Sequence, residues 1–531
     1  MKFNKIFLGI VAFLSLNCGS CGFDGNRAIA GSHGPDKILN VRLLGEPETL
    51  DWNRAHTTVE TFILTNMMDG LVQFDSNMQI APALASSWKM SGDGKTYTFK
   101  LRPGVKWSDG VPLKAKDFVY SWKRLLNPAT AAAYAYFLFD VQGAEAFNKG
   151  TIKDFSKVAV KALNDQTLQV KLSHPVPYWI QIPTFWVTFP LRQDVVEKYG
   201  TVTNSNWTEP GKMVTLGPYT LSEHEFDNKI VLKANPTYYT AKGNLDSIDF
   251  LVVRDDSTAL NLYESGRIDF LTDISSVDLK RLAGREDLKS FPYYKTGYIG
   301  FVLGKKPITN VKVRRAISMA IDKSQVGKIL HGGEMPATSW IPPRMLGHSE
   351  NLGLPYDVEK AKDELATSGE DVSKPIELLI PNWDKASLIA QYIQDQLKKT
   401  LGLKVTIQGF DNKTFRSQVD LKVFPLFLLS WSADFPDPDN FMSVFTSGSG
   451  NNRSDWKSKQ YDDLVLKARG FSDDKIREKI YFEAQRLLLE DEAVVLPLYY
   501  EPNIALVKPR VGGLELNPLN YLLLRKVNLG N

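Results

Sequence analysis

Cysteine is almost missing: the 531 residues include two, Cys18 and Cys21, both within the first 21 positions. The rest of the chain can form no disulfide, no thiolate zinc site and no thiol nucleophile. Charge of one sign is scarce too. Sixty-four Lys and Arg against 60 Asp and Glu leave +4, too small an excess for a nucleic-acid binder. No apolar run is long enough to cross a bilayer as a helix. The six histidines, His33, His56, His174, His224, His331 and His348, include no pair three or four apart, so a His-based metal site would need distant segments. Neither Gly-x-Ser-x-Gly nor His-Glu-x-x-His occurs. Gly92-Asp93-Gly94-Lys95-Thr96 ends like a phosphate loop, but Lys89 stands where the first glycine belongs; it reads as a hairpin turn. Asp434, Asp437 and Asp439 lack the glycine and the twelfth-position Glu of a calcium loop. No metal and no cofactor are called for.

What is present is ordinary globular composition, 43% hydrophobic and 23% charged, with a length that suggests about three domains. Aromatics are 11%, with 11 Trp and 20 Tyr, residues often used in binding clefts. The first five residues carry two lysines, and 6–16 are uncharged and mostly apolar. That is the pattern of an export leader, too short to span a membrane. A cysteine follows it in Asn17-Cys18-Gly19-Ser20-Cys21, which resembles a lipoprotein processing site. Cys21 has a small residue before it and Cys18 lies nearer the apolar run, so either is a candidate for lipidation. Plain secretion with cleavage after Ala28-Ile29-Ala30 is the alternative. Residues 1–21 are read as leader and 22–35 as a flexible tether.

Alternation predicts strands at 38–44, 97–102, 168–172 and 230–233. After about residue 300 the pattern changes. A helical face runs through Val313, Ile317, Ala320 and Ile321 in 311–322. Strand 376–380, amphipathic helix 386–399 and strand 403–407 make a β-α-β unit. Residues 424–431 read as a wholly buried apolar strand. Ser472, Asp473 and Asp474 cap a long helix, and 494–500 is a strand.

Several stretches carry a more specific signal. They are Pro82-Ala83-Leu84-Ala85-Ser86-Ser87-Trp88, Val105-Lys106-Trp107-Ser108-Asp109-Gly110, Asp117-Phe118-Val119-Tyr120-Ser121-Trp122, Glu48-Thr49-Leu50-Asp51, Gly217-Pro218-Tyr219, Asn235-Pro236-Thr237-Tyr238-Tyr239, Val313-Arg314-Arg315-Ala316, Trp431-Ser432-Ala433-Asp434 and Val507-Lys508-Pro509. In order and spacing they resemble the oligopeptide-binding protein family, the substrate-binding subunits of ABC importers (solute-binding protein family 5). The resemblance implies an α/β, two-lobed flytrap fold with an additional β-rich domain. One lobe would comprise 36–68, 191–294 and 502–531, the extra domain 69–190, and the other lobe 295–501. It implies a monomer in the periplasm or on the outer face of a bacterial membrane, held there only by an N-terminal lipid anchor. Such a protein closes on short peptides, delivers them to an ABC permease and performs no chemistry.

The same resemblance makes Asp434 the partner of the ligand α-ammonium, with Trp431 beside it and Ser430 and Ser432 as backbone contacts. His56, Thr58, Tyr134 and Tyr500 are candidate cleft lining. His56 stands where a relative has an acidic residue and could make binding pH-dependent. Where relatives place Arg or His around the ligand carboxylate, this chain has Ala386, Val419 and Leu428; the adjacent Lys385 is the candidate cation. Alternative ligands on the same fold are a murein peptide, a signalling peptide, a nickel chelate or a sugar. A hydrolase using Asp434 with Asp437 or Asp439 is a third reading.

Overall fold

Apolar residues at alternate positions place Ile38–Leu43 inside a seven-stranded sheet. Ser247–Val252 and Phe270–Thr272 run parallel to it on its two sides. Lys229–Ala234 and Tyr219–Glu225 complete one edge, Asn503–Val507 and Leu288–Phe291 the other. The computed structural model describes residues 37–530, so the calls on Cys18, Cys21, the leader and the tether lie outside the described residues.

A second sheet has six strands, in the order Met335–Pro336, Val495–Tyr500, Lys295–Phe301, Leu426–Ser432, Ile376–Pro381 and Val405–Phe410. Helix Asp384–Leu401 joins the last two strands in chain order. It buries Ala386, Ile389, Ala390, Ile393 and Leu397 along one face and stops at Gly402, whose φ of 68° suits a residue without a β-carbon. In Lys295–Phe301 a β-carbon on Gly297 would lie 2.4 Å from the Tyr499 ring, so only glycine lets the ring lie against the strand.

A third, four-stranded antiparallel sheet consists of Ala85–Met90, Thr96–Leu101, Thr167–Lys171 and Val160–Asn164. Its first hairpin turns through Gly94, whose N–H donates to the Ser91 carbonyl at 2.9 Å; the phosphate-loop lookalike is a turn. Helix Ala115–Leu126 follows, with Phe118, Trp122 and Leu125 buried. A buried ion pair between Arg124 and Asp51 ties this region to the seven-stranded sheet's body.

The chain passes between the two large sheets at 292–294 and 501–502. There the Tyr294 N–H donates to Pro518 O at 2.8 Å, Ala433 N–H donates to Tyr294 O at 2.9 Å, and Glu501 N–H donates to Lys295 O at 3.3 Å.

Several sequence expectations shift in detail. The helix expected over 311–322 ends at Met319, because Asp322 instead caps a separate turn through Ser324 N. The long helix at 474 is capped by Asp473, not Ser472. The strand expected to be wholly buried is Leu426–Ser432, and only its first three residues are buried. The physical reason is the open edge described next.

Candidate functional site

The site begins with which way the backbone of Leu426–Ser432 faces. Its antiparallel register with Lys295–Phe301 runs from Lys295↔Ser432 to Phe301↔Leu426. Ala433 N–H bonds Tyr294 O, and Val302 N–H bonds Pro425 O. Alternate residues of an antiparallel strand aim their N–H and C=O at the partner, so 427, 429 and 431 face Lys295–Phe301. Leu426, Leu428, Ser430 and Ser432 face the opposite side. On that side Ile376–Pro381 pairs only with Leu426 and Phe427. The outward backbone groups of Ser430 and Ser432 therefore meet no strand among the described residues.

Two residues past this open edge stands Asp434. Asn440 fixes it: its Oδ1 accepts from Trp431 Nε1 at 3.0 Å and from Asp434 N at 3.3 Å, and its Nδ2 donates to Asp434 Oδ2 at 3.4 Å. No Lys, Arg or His among the described residues lies within 4 Å of the carboxylate. Burial pushes its pKa up to about 6, and the Asn440 hydrogen bond offsets that only partly.

The neighbouring carboxylates are different. Asp437 caps helix Pro438–Met442 and pairs with Arg477 at 2.6 Å; both side chains are about 95% buried. Asp439 takes a two-pronged bond from Arg469 at 2.7 and 3.0 Å and accepts from the Tyr178 hydroxyl at 2.9 Å. With both aspartates held by arginines, neither is left as a free base beside Asp434. Phe435, next to Asp434 in the chain, stacks on Tyr178 with centroids 4.9 Å apart and meets Phe137 edge-on at 6.1 Å. The segment carrying Asp434 is thus wedged against the region of the four-stranded sheet.

Opposite lies an aromatic wall. Tyr134 packs edge-on against Phe185 at 5.1 Å and Trp186 at 5.8 Å, and Trp186 meets Tyr521 at 5.7 Å. The Asp434 charge acts on the hydroxyls of Tyr134, Tyr136 and Tyr521, adding to the burial that raises their pKa. The structure therefore brings Ser430, Trp431, Ser432, Asp434 and Tyr134 together.

Four other expected residues are placed otherwise. Tyr500 is a correction: its ring is buried and its hydroxyl accepts from Thr338 N at 3.1 Å and Ser339 N at 2.8 Å, bracing that loop instead of lining open space. Lys385 is a second correction. Its ammonium pairs with Glu501 at 3.0 Å and Glu334 at 3.2 Å, and Lys295 pairs with Glu501 at 2.6 Å. Two cations and two carboxylates close this cluster on itself. Burial works against the Glu501 carboxylate, yet the two lysines hold its pKa down at about 2. His56 is exposed beside Glu48 at 3.6 Å, in a surface groove with Glu46, Arg54 and His224. Thr58 is the exposed first residue of helix Thr58–Met67.

The sequence reading missed Asn440, Phe435, Tyr136, Arg416 and Tyr521. Asn440 and Phe435 had a signal, since they belong to the acidic, proline-containing run that begins at Asp434. The other three had none, because only tertiary folding brings Tyr136 and Tyr521 within reach of the Asp434 charge and Arg416 within reach of Tyr134.

Comparison with known proteins settles the family. The profile for bacterial extracellular solute-binding proteins, family 5, matches residues 79–453. The chain belongs to that family. Among its relatives, the periplasmic oligopeptide-binding protein OppA of Escherichia coli is 33% identical over 88% of this chain and 88% of its own. A probable deoxycholate-binding periplasmic protein, YgiS, from the same organism is 32% identical over 92% of each. Among solved structures, the E. coli murein tripeptide-binding protein MppA has a TM-score of 0.80, with 29% identity over 93% of this chain and 99% of that one. Haemophilus influenzae OppA in complex with the peptide RPPGFSPFR has a TM-score of 0.78, with 26% identity over 93% of this chain and 99% of that one. These family 5 neighbours share the two-lobed, mixed α/β flytrap fold, and the family is one of extracytoplasmic binding proteins.

Proposed function

We propose that this family 5 protein captures short peptides between its lobes and hands them to an ABC-type permease. The observation that carries the reading is the conjunction at the end of one strand: backbone groups of Ser430 and Ser432 without a strand partner, next to a carboxylate without a cation. An extended peptide laid along that edge would gain main-chain hydrogen bonds, which do not depend on its side chains. Asp434 would take its α-ammonium group and so fix its register. Trp431 and Tyr134 would flank its first residues, with Thr58 and His56 at the far rim. With Lys385 engaged, Arg416 serves the ligand carboxylate; it is exposed on helix Asn412–Asp420, has no ion-pair partner among the described residues, and acts on the Tyr134 hydroxyl.

In this reading the three sheets are the cores of lobe I (36–68, 191–294, 502–531), an extra domain (69–190) and lobe II (295–501), hinged at the crossings near 294 and 501. The protein works as a monomer in the periplasm or on the outer membrane face, lipid-anchored through Cys18 or Cys21, and leaves the ligand chemically unchanged.

Native mass spectrometry of the purified protein tests the reading. Co-purified or library-selected peptides of two to about six residues are expected. Failure of every peptide pool to bind, with capture of a bile acid, sugar or metal chelate instead, would refute it.

A further inference from the structure

Asn440 carries an amide with two unlike ends, and three groups meet it. The Trp431 indole N–H at 3.0 Å and the Asp434 backbone N–H at 3.3 Å can only donate. The Asp434 carboxylate, with Oδ2 at 3.4 Å, accepts. Those roles leave the amide one orientation: its oxygen takes both N–H groups, and its NH2 end is turned to the carboxylate. Turned over, it would set N–H against N–H twice and oxygen against oxygen once. Asn440 is only 5% exposed, so water cannot make good a wrong turn.

The backbone under this amide is fixed. Helix Pro438–Met442 starts at the Asp437 cap, whose carboxylate Arg477 holds at 2.6 Å; Arg469 grips Asp439 at 2.7 Å; and the Phe441 carbonyl accepts from the Trp340 indole at 2.8 Å. What is left to set is the turn of the Asn440 side chain, and Trp431, on the open strand, sets it. The amide engages only one oxygen of Asp434. The other, Oδ1, has no hydrogen-bond partner among the described residues, and it is not sealed from solvent.

We infer that Trp431, Asn440 and Asp434 form one relay: the indole N–H locks the Asn440 amide, and the locked amide keeps an N–H donor against one oxygen of Asp434, so that the carboxylate meets the ligand's ammonium as an anion with its other oxygen free. Asn440 and, through it, the Trp431 N–H are positioning groups; this rests on the reading that Asp434 receives the peptide α-amine. A hydrogen bond to the charged form favours that form, and the Asn440 bond is what offsets the burial of Asp434. The titratable groups that feel this carboxylate are the hydroxyls of Tyr134, Tyr136 and Tyr521, which stay protonated far above neutral pH. Asp437 and Asp439, on the same segment, are paired with Arg477 and Arg469. Between pH 5 and 8 the relay therefore acts on one proton, that of Asp434. Deleting the indole N–H should change the pH dependence of binding, which loss of a ring contact with the ligand does not do.

Isothermal titration with one short peptide, free and N-acetylated, at about pH 6 and pH 8 tests this in wild type, W431F, N440A and the double variant. Affinities are compared as ratios to wild type, which cancels the ligand's own titration. N440A is expected to bind the free peptide about fivefold more weakly at pH 6 and within about twofold at pH 8, as a rise of about one pH unit in the Asp434 midpoint gives. W431F, which keeps an aromatic ring, should show the same shape at about half the size, and the double variant should match N440A. Both single variants should hold the acetylated peptide within about twofold of wild type. A W431F loss that is equal at the two pH values, or absent, would overturn the relay and leave the Asp434 reading intact; W431F decides this even if N440A fails to fold. Losses that multiply in the double variant would also overturn it. So would an N440A that weakens both peptides equally at both pH values, since that is what a packing role gives. Wild type that does not distinguish the two peptides would bring down the Asp434 reading and the relay with it.

Discussion

Asp434, Asp437 and Asp439 lie within six residues of one another, and only one of them is available. Asp437 and Asp439 each grip an arginine from a later helix and so weld the segment into its lobe. Asp434 has an amide for company and an elevated pKa. The same residue type thus does structural work where a cation is built in and binding work where one is left out. The contrast recurs on a larger scale. The lysine–glutamate cluster at Lys295, Lys385, Glu334 and Glu501 is charge-neutral and sealed, whereas the Asp434 side of the strand holds a carboxylate with no cation beside it.

That contrast can be broken from either side. The largest effect is expected for Asp437→Ala, which strands the buried Arg477 and removes a helix cap. A stability loss of about 3–5 kcal/mol should appear in denaturant unfolding, with the preference for free over acetylated peptides unchanged. Next comes Asp434→Ala. Loss of a buried partner for the ligand ammonium should weaken free peptides about 100-fold, roughly 2.7 kcal/mol, by calorimetry, without lowering the ligand-free Tm. A stability loss like that of Asp437→Ala would mean the two residues do not differ in kind.

The third prediction is a pH profile. The folded Asp434 carboxyl holds its proton up to about pH 6, against 3.8 ordinarily. From this group, the free protein's stability is greatest at low pH and falls as pH rises from about 4 to 6. Ammonium binding needs the ionised form, so affinity should climb about tenfold from pH 5 to pH 7 and then flatten. A flat profile would mean that Asp434 is already ionised at pH 5 or does not meet the charge. The smallest effect is expected at His56. It is exposed and beside Glu48, so His56→Gln should change affinity less than about threefold for neutral peptides; a larger change would move the groove around it into the binding site.

The apolar run at 424–431 announced a strand, and Trp431-Ser432-Ala433-Asp434 announced where it ends. What the sequence could not carry is how far the neighbouring strand follows it. Ile376–Pro381 leaves after Phe427, and that departure alone turns a buried strand into an open edge. Lys385 was legible as a cation next to a vacated arginine position. Its partners come from positions 51 and 116 residues away, a separation over which pattern reading has no hold. Tyr500 was legible as an aromatic at a strand end, but which loop receives its hydroxyl depends on the path of 338–339. Tyr521, nearly 90 positions beyond Asp434, comes within reach of its charge only when the C-terminal hairpin folds back beside Trp186.

The open edge of Leu426–Ser432 has one more consequence, for the behaviour of the protein in a concentrated solution. An unpaired strand edge is the template on which other chains add themselves. Here the exposed stretch is short, two of its outward residues are serines, and it runs into the Asp434 segment that Phe137 and Tyr178 cover. Stored without ligand, the protein should be most prone to self-association when its lobes are held apart, and a bound peptide should act as a stopper against that path.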